Sequence, residues 1–456
     1  MNYRPSFIVH RSSIRPALLV FLLLGCDSDI PAAAQAQNTV YAFENANVVP
    51  MDEERVLQDQ TVLVVGDRIT AVGPASSVQA PVDAVRIDGR GKFLMPGLAE
   101  MHGHIPSPSQ SPEYTETVLF LFAANGVTTV RGMQGSHGQL DLKARVNAGE
   151  LVGPNLYLAG PGFGGGSVDS PEQAREMVRR QKTEGWDLLK VFPGLTGEEY
   201  DAMANEANAL GIPFGGHVPV DVGLAHAMEM GQQTFDHLDG YIAYLDGESE
   251  LVSDSAIVGA VRMTLDAGAW VVPTMVLWET VVGLTDLEWG RSLPELQYMP
   301  RSVVDGWIES LRSGQQQAGS DRQAALNHVQ NRMRLLRALN DAGARILMGT
   351  DAPQMFSVPG FSVHHEMKRM VEAGMTPYEV YRTGSVMIGR YLGDHDTVGT
   401  ITEGARADLV LVDANPLEDV ANFKQRSGVM VRGRWLSEED IQSRLSEIAG
   451  MYGSEN

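Results

Sequence analysis

Cysteine is almost missing from this chain. The single thiol, Cys26, in 456 residues excludes an intrachain disulfide and a cysteine-built zinc finger. Basic residues are scarce as well: Lys and Arg number 35 against 57 Asp and Glu, a formal charge of -22. So acidic a surface repels nucleic acid and disfavours anionic membranes. No short-period repeat is present, which excludes solenoid and propeller arrays. The apolar run Ala17 to Leu24 is too short to span a bilayer as a mature helix. What remains is ordinary for a globular protein, with 43% hydrophobic and 20% charged residues. At this length one large domain plus a smaller one is expected.

Arg4, Arg11 and Arg15 precede that apolar run, which makes residues 1–25 a targeting segment. Two cleavage points compete. Leu23-Leu24-Gly25-Cys26 resembles a bacterial lipoprotein box, giving a lipidated Cys26 and a periplasmic or membrane-anchored protein. Ala34-Gln35-Ala36 fits the small-x-small rule for ordinary secretion and gives a soluble product. The lipoprotein reading is preferred because Cys26 sits directly behind the apolar run. Either route predicts export. Residues 26–38, rich in Ala, Gln and Asp, read as a tether.

Short β-rich runs follow at Val40 to Phe43, Thr61 to Val65 and Ile69 to Val72, with turn pairs between them. The same character returns at Asp408 to Val412 and in a hairpin, Val429 to Leu436, turning near Gly433. One small β-sandwich domain built from both chain ends, residues 39–95 and 397–440, is therefore expected, with 441–456 as a C-terminal tail or helix.

Residues 96–396 alternate apolar strands with amphipathic helices. The strand candidates are Leu98 to His102, Thr128 to Arg131, Asn155 to Ala159, Leu188 to Phe192, Pro213 to His217, Thr234 to Leu238, Trp270 to Met275 and Arg345 to Thr350. Eight parallel strands predict an α/β fold of the (β/α)8 TIM-barrel type. Gly126, Gly185, Gly211, Gly231, Gly268 and Gly343 stand where the intervening helices should stop. The stretch Val282 to about Ala325 exceeds what a barrel loop needs and is expected to cover the open face.

Active residues of such a barrel lie at the carboxyl ends of strands. His102 and His104 end the first strand, two apart and so on one face. Lys190 lies in the fourth strand, His217 ends the fifth, His237 the sixth, and Asp351 the eighth. A lysine inside an apolar strand must be neutralised. A carboxylate partner would do so, as would reaction with carbon dioxide to a carbamate; a third possibility is that Lys190 snorkels outward.

With these pieces in place the chain resembles the amidohydrolase superfamily, and within it the metal-dependent dipeptidase and imidazolonepropionase-related group that includes ochratoxin-type amide hydrolases. The carrying motifs are Pro96-Gly97 through His102-Gly103-His104, Trp186 to Phe192 with Lys190, Gly215-Gly216-His217-Val218-Pro219, Phe235-Asp236-His237 and Gly349-Thr350-Asp351-Ala352-Pro353. The resemblance implies one divalent ion on His102, His104 and Asp351 and a second on His217 and His237, with a carbamate on Lys190 bridging them. Zinc is the default metal, manganese and cobalt the alternatives. It implies a metal-activated water as nucleophile, with Asp351 relaying its proton to the leaving amine.

Weaker candidates remain. His137 and Arg131 flank the loop after the second strand and are candidate contacts for a substrate carboxylate; Tyr241, just past the sixth strand, is a candidate hydrogen-bond donor to substrate or a packing residue under the lid. The run Gly162 to Gly166 lacks the ending of a phosphate loop and reads as a mobile loop. His364 and His365 are expected at the surface, and His226 and His328 are expected to be structural. The expected reaction is hydrolysis of a carbon-nitrogen amide bond in a dipeptide, an N-acyl amino acid or an ochratoxin-like amide. A mononuclear deaminase or cyclic-amide hydrolase, in which Lys190 is not a ligand, is the rival enzyme, and an exported binding protein the non-enzymatic alternative. A homo-oligomer is expected.

Overall fold

The computed structural model describes residues 39–109, 111–318, 321–393 and 397–453. The expected signal segment, its cleavage points and Cys26 lie outside the described residues. Among the described residues no helix is long and apolar enough to cross a membrane.

The chain begins with β1 (Val40–Val48), β2 (Leu57–Val65), β3 (Arg68–Pro74), β4 (Val85–Asp88) and β5 (Phe93–Pro96). Parallel strands β6 (Leu98–Gly103), β7 (Val127–Gly132), β8 (Asn155–Leu158), β9 (Leu189–Val191), β10 (Phe214–Gly216), β11 (Thr234–Asp236), β12 (Trp270–Val272) and β13 (Arg345–Ile346) follow, separated by helices. The last strands are β14 (Leu409–Val412), β15 (Arg426–Val431) and β16 (Arg434–Ser437).

The outer strands form one hydrogen-bonded sheet in the order β16-β15-β14-β5-β1-β2-β3, with β4 branching from β1. Two register irregularities in β1, between Phe43 and Ala46 and between Ala46 and Val48, divide its length. Its first part therefore pairs with β4 and its last part with β5. The network wraps a core of Phe43, Val62, Val64, Ile69, Leu409 and Met430, an arrangement that fits a small sandwich made from both chain ends. The β15–β16 hairpin turns at Arg432 and Gly433, both at positive φ, the geometry a two-residue hairpin loop requires. The strand Phe93–Pro96, unmarked by turn signals, is the centre of this unit: it pairs with β1 on one side and β14 on the other.

All eight predicted inner strands are present. Their residues β6 through β12 are buried on both faces, apart from an intermediate Tyr157, as strands flanked by helices must be. They hydrogen-bond in two parallel blocks, β6-β7-β8 and β9-β10-β11-β12-β13. A bridge between Ala159 and Leu188 joins the blocks at one side. At the other, Met101 N–H donates to Met348 O at 2.8 Å and Asp351 N–H to His102 O at 2.7 Å. Mixed α/β content in this order fits a TIM-type barrel. The six glycines expected to stop helices all have positive φ, where a residue without Cβ carries no steric penalty.

Beyond β12, Leu287–Arg291, Pro294–Tyr298 and Arg301–Ala318 form the long insertion. It packs on the segment that follows Asp351: Trp307 meets Phe356 with ring centroids 6.0 Å apart, and Tyr298 stacks on Phe361 at 5.3 Å. At the C-terminus a helix, Glu438–Gly453, starts three residues earlier than expected. Ser437 and Asp440 cap it reciprocally through side-chain and backbone bonds of 3.2 Å, and its buried Ile441, Leu445, Ile448 and Tyr452 dock it on the body.

Candidate metal centre

Where β6 ends, a buried carboxylate sets the frame. Glu100 accepts the backbone N–H of His102 at 3.0 Å, that of Thr350 at 2.8 Å and the Thr350 hydroxyl at 2.5 Å. Burial pushes its pKa up to about 8, against the opposing pull of these bonds. One side chain thus holds the segments bearing His102 and Asp351 side by side. Gly349 permits this closeness, since a Cβ there would lie 2.5 Å from Val272 and 3.0 Å from His102 N.

Three of the imidazoles here are oriented from behind. His102 Nδ1 donates to Asp236 Oδ2 at 2.7 Å, and an acceptor-only carboxylate there leaves Nε2 with a free lone pair. His217 Nδ1 donates to Asp239 Oδ2 at 2.6 Å, and His237 Nδ1 meets Thr274 Oγ1 at 2.8 Å. Such partners fix the tautomer and ring angle of a ligating histidine. The His102 and His237 rings lie 4.2 Å apart and those of His217 and His237 4.5 Å apart. Asp351 completes the group: Oδ1 is 2.5 Å from His104 Nε2 and 3.8 Å from His102 Nε2, and Oδ2 is 3.8 Å from His237 Nε2. Candidate ligand atoms of His102, His237 and Asp351 all fall within 4.8 Å of one another. Burial holds His102 and His237 well below the ordinary histidine pKa, which favours the neutral imidazole that a metal would need. His237 at φ 68° and Asp351 at φ 65° occupy the left-handed region, a backbone cost that tertiary structure must sustain.

Lys190 points into the same space. It is fully buried, its Nζ lies 3.1 Å from His102 Nε2 and 5.0 Å above the Phe192 ring, and no described carboxylate pairs with it. Burial lowers its pKa to about 8. The outward, snorkelling alternative is excluded by this placement. The glycine run is not a mobile loop but a backbone rail for β9: Phe163 N–H donates to Lys190 O at 2.8 Å and Phe192 N–H to Phe163 O at 2.7 Å. A Cβ on Gly162 would strike the Phe192 ring.

The weaker candidates divide. Arg131 is not a substrate contact. It is 1% exposed, donates to Met101 O at 2.6 Å and pairs with Asp236 at 3.0 Å, because a guanidinium on a barrel strand has to be neutralised internally. Nor does Tyr241 offer its hydroxyl to substrate: the residue is wholly buried and its oxygen bonds Thr264 Oγ1 at 2.8 Å. His137 is exposed on the loop after β7. His364 is buried, not superficial, covered by Phe423 at 5.9 Å, while His365 bonds Glu295 at 2.7 Å. Sequence reasoning gave no role to Asp236, Asp239, Thr274 or Glu100. An acid inside an apolar strand is itself a signal, since it demands a partner, and Asp236 and Glu100 both carried it.

Four imidazoles, a carboxylate and a buried lysine at strand ends suit a divalent cation of the zinc type. Comparison with known proteins bears on the family. Ochratoxinase of Aspergillus niger is 22% identical over 447 residues, covering 84% of this chain and 83% of that protein. Among solved structures, a bottromycin amidohydrolase superposes with a TM-score of 0.72 at 24% identity, covering 93% of this chain and 94% of the other. A Xaa-Pro dipeptidase with methionine in its active site gives 0.67 at 19%, covering 88% and 100%. The likenesses in structure speak to the fold. The sequence profile of the Amidohydrolase family matches residues 93–436, the span that contains every residue of the cage just described, and on that match the chain belongs to the amidohydrolase family.

Proposed function

We propose that this protein is a binuclear metal-dependent hydrolase of amide bonds in dipeptides or N-acyl amino acids, ochratoxin-like amides included. That it is a hydrolase acting on carbon-nitrogen bonds follows from its family. The observation carrying the finer reading is the convergence of three imidazoles oriented from behind, Asp351 and an unpaired buried Lys190 on one point. The reading takes the eight parallel strands as one closed barrel, supported by the bridge and hydrogen bonds that join its two blocks.

His102, His104 and Asp351 would hold one ion, and His217 and His237 the other. Two divalent ions, when bound, supply Lewis acidity that activates water and polarises the amide carbonyl. Lys190 has a specific part. Its ammonium would first lose a proton to solvent; the neutral amine would then add to carbon dioxide, an N–C bond forming as one C=O π bond opens and a second proton leaving to solvent, so that a buried cation becomes an anionic carbamate with two oxygens able to serve as ligands. Burial favours the neutral amine that this addition needs. Asp351, acceptor of the attacking water's proton, passes it to the leaving nitrogen as the C–N bond breaks, because an amine departs poorly unless protonated. Asp236, Asp239 and Thr274 keep the imidazoles aimed.

The test is a panel of dipeptides, N-acyl amino acids and ochratoxin-like amides given to protein reconstituted with zinc and bicarbonate, with metal content measured in parallel. Release of a free amine together with a carboxylic acid is expected. Ammonia from a purine, or ring opening of an imidazolone with every linear amide left intact, would replace this reading with the mononuclear one. Ligand recovered unchanged from a metal-loaded barrel would point to a binding protein.

A further inference from the structure

Behind His237 stands a buried cation that no carboxylate neutralises. Arg332, on the helix Arg322–Asp341, is 0% exposed. One of its nitrogens, Nη2, donates to the backbone carbonyl of His237 and to that of Pro273 at 3.3 Å. Its other two, Nε and Nη1, are buried with no hydrogen-bond partner. The two carboxylates whose fields reach it are already engaged: Asp239 with His217 and Gly240 N–H, Glu366 with the N–H groups of Met275 and Val276.

The same deficit recurs in the indole beside it, and an imidazole stacks behind that. Trp278 lies with its ring 4.5 Å from Arg332 Cζ, and His328 stacks on that ring at 5.7 Å and 11°. His328 precedes Arg332 by four residues, so both project from one face of the helix. Trp278 Nε1 and His328 Nε2 are also buried without partners. Three donor nitrogens on two touching side chains, Arg332 Nε and Nη1 and Trp278 Nε1, thus lack an acceptor, a costly state for buried N–H groups and most of all for the charged one. The same Trp278 ring lies 6.4 Å from that of His237, which places the deficit against the metal cage.

We propose that Arg332 and Trp278, the latter backed by the stacked His328 ring, form an oxyanion subsite that takes the carboxylate of the substrate, and that this enzyme therefore selects amides bearing a free carboxylate. A carboxylate is acceptor-only, offers about four lone-pair sites and supplies the missing counter-charge through charge-assisted bonds. The expected role of Arg131 and His137 in reading that group passes to Arg332. The inference rests on the amide-hydrolase reading for its substrate, but not for its anion.

The test separates the two. Zinc-loaded protein is labelled with fluorotryptophan, the Trp278 resonance is assigned with Trp278→Phe, and three probes are titrated: phenylpropionate, the matching neutral methyl ketone, and inorganic phosphate. Phenylpropionate should shift the Trp278 signal saturably and the ketone should not. Arg332→Met should weaken that binding at least tenfold, and Arg332→Lys, kept in reserve should the first variant not fold, should weaken it less while retaining the preference for the acid. A subsite confined to inorganic anions is the conclusion if phosphate binds as tightly as phenylpropionate, and the proposal then fails. It also fails if Arg332→Met lowers Tm yet leaves the acid-over-ketone preference intact, the outcome of a purely structural arginine. Probe binding in a protein that cleaves no amide would overturn the hydrolase reading and leave the subsite standing; cleavage of acidic and capped amides alike, with no Trp278 response, would do the reverse.

Discussion

Asp236 Oδ2 lies 2.7 Å from His102 Nδ1 and 3.0 Å from Arg131 Nη2, so a single buried oxygen aims a ligand on one side and neutralises a guanidinium on the other. Asp236→Asn keeps the shape and removes the charge. Arg131 would then be a buried cation without its counter-ion, a defect of about 3–5 kcal/mol, and His102 would lose its orienting acceptor, which typically lowers metal affinity about 10- to 100-fold. Chelator competition for zinc, together with thermal unfolding of the metal-free protein, measures both. Unchanged values in the two assays would show that the pair does neither job.

Metal stoichiometry decides the role of Lys190. With a bridging carbamate, Lys190→Ala should fall from about two zinc ions per chain to one or fewer and lose nearly all activity, because ligands that build a site set its affinity. A small added carboxylic acid should restore part of both by filling the vacated volume. Lys190→Arg should gain nothing from the same acid, since its guanidinium forms no carbamate and stays cationic. One ion in both wild type and Lys190→Ala would refute the bridge.

Gly216 is the position at which β10 gives way to Lys190. Its φ is 126°, and a Cβ there would lie 2.5 Å from Val191 O and 2.9 Å from Lys190 Cδ. Gly216→Ala should therefore cost about 1–3 kcal/mol through backbone strain and overpacking, and it should reduce zinc content by pushing Lys190 off the centre. Full zinc loading alongside a lowered Tm would mean that the strain is absorbed elsewhere.

Glu366 makes stability depend on pH. It is wholly buried, accepts the N–H groups of Met275 and Val276 at 2.8 and 3.0 Å, and burial raises its pKa from 4.5 to about 7. Between those values the folded state binds more protons than the unfolded one, so this group's contribution is complete below pH 4.5 and is lost as pH rises to 7. The loss is on the order of 3 kcal/mol at most. Urea unfolding of metal-free wild type and Glu366→Gln across that window should show their stability difference drifting in favour of the variant as pH increases; a constant difference would contradict it.

The periodic and punctuated parts of this molecule were legible in its residues. All eight inner strands, the glycine helix stops and the positions of His102, His104, Lys190, His217, His237 and Asp351 follow from short apolar runs alternating with amphipathic helices and from the rule that barrel sites gather at strand ends. Partnerships were not legible. Arg131 and Asp236 are 105 positions apart, and nothing local tells a strand arginine buried against its acid from one open to ligand. His364 stands at the start of an amphipathic helix, where the surface is the ordinary place; it is covered because Phe423, from the far end of the chain, packs over it. Arg332 reads as one more charge on a polar helix until the loops it holds are seen.

The β unit has its own history in each molecule made. Its central pair joins Pro96 to Leu409, so β5 leaves the ribosome about three hundred residues before the strand it needs. At ordinary elongation rates of about 5–20 residues per second that wait lasts roughly 15–60 s, long enough for the intervening α/β segment to form while β5 still presents an open edge. The finished molecule is thus a clasp that shuts only when translation is nearly complete. A chain interrupted between Asp351 and β14 carries every residue of the candidate cage on an unfinished sheet, and its unsatisfied strand edge is a template for aggregation that distinguishes the incomplete product from the complete one.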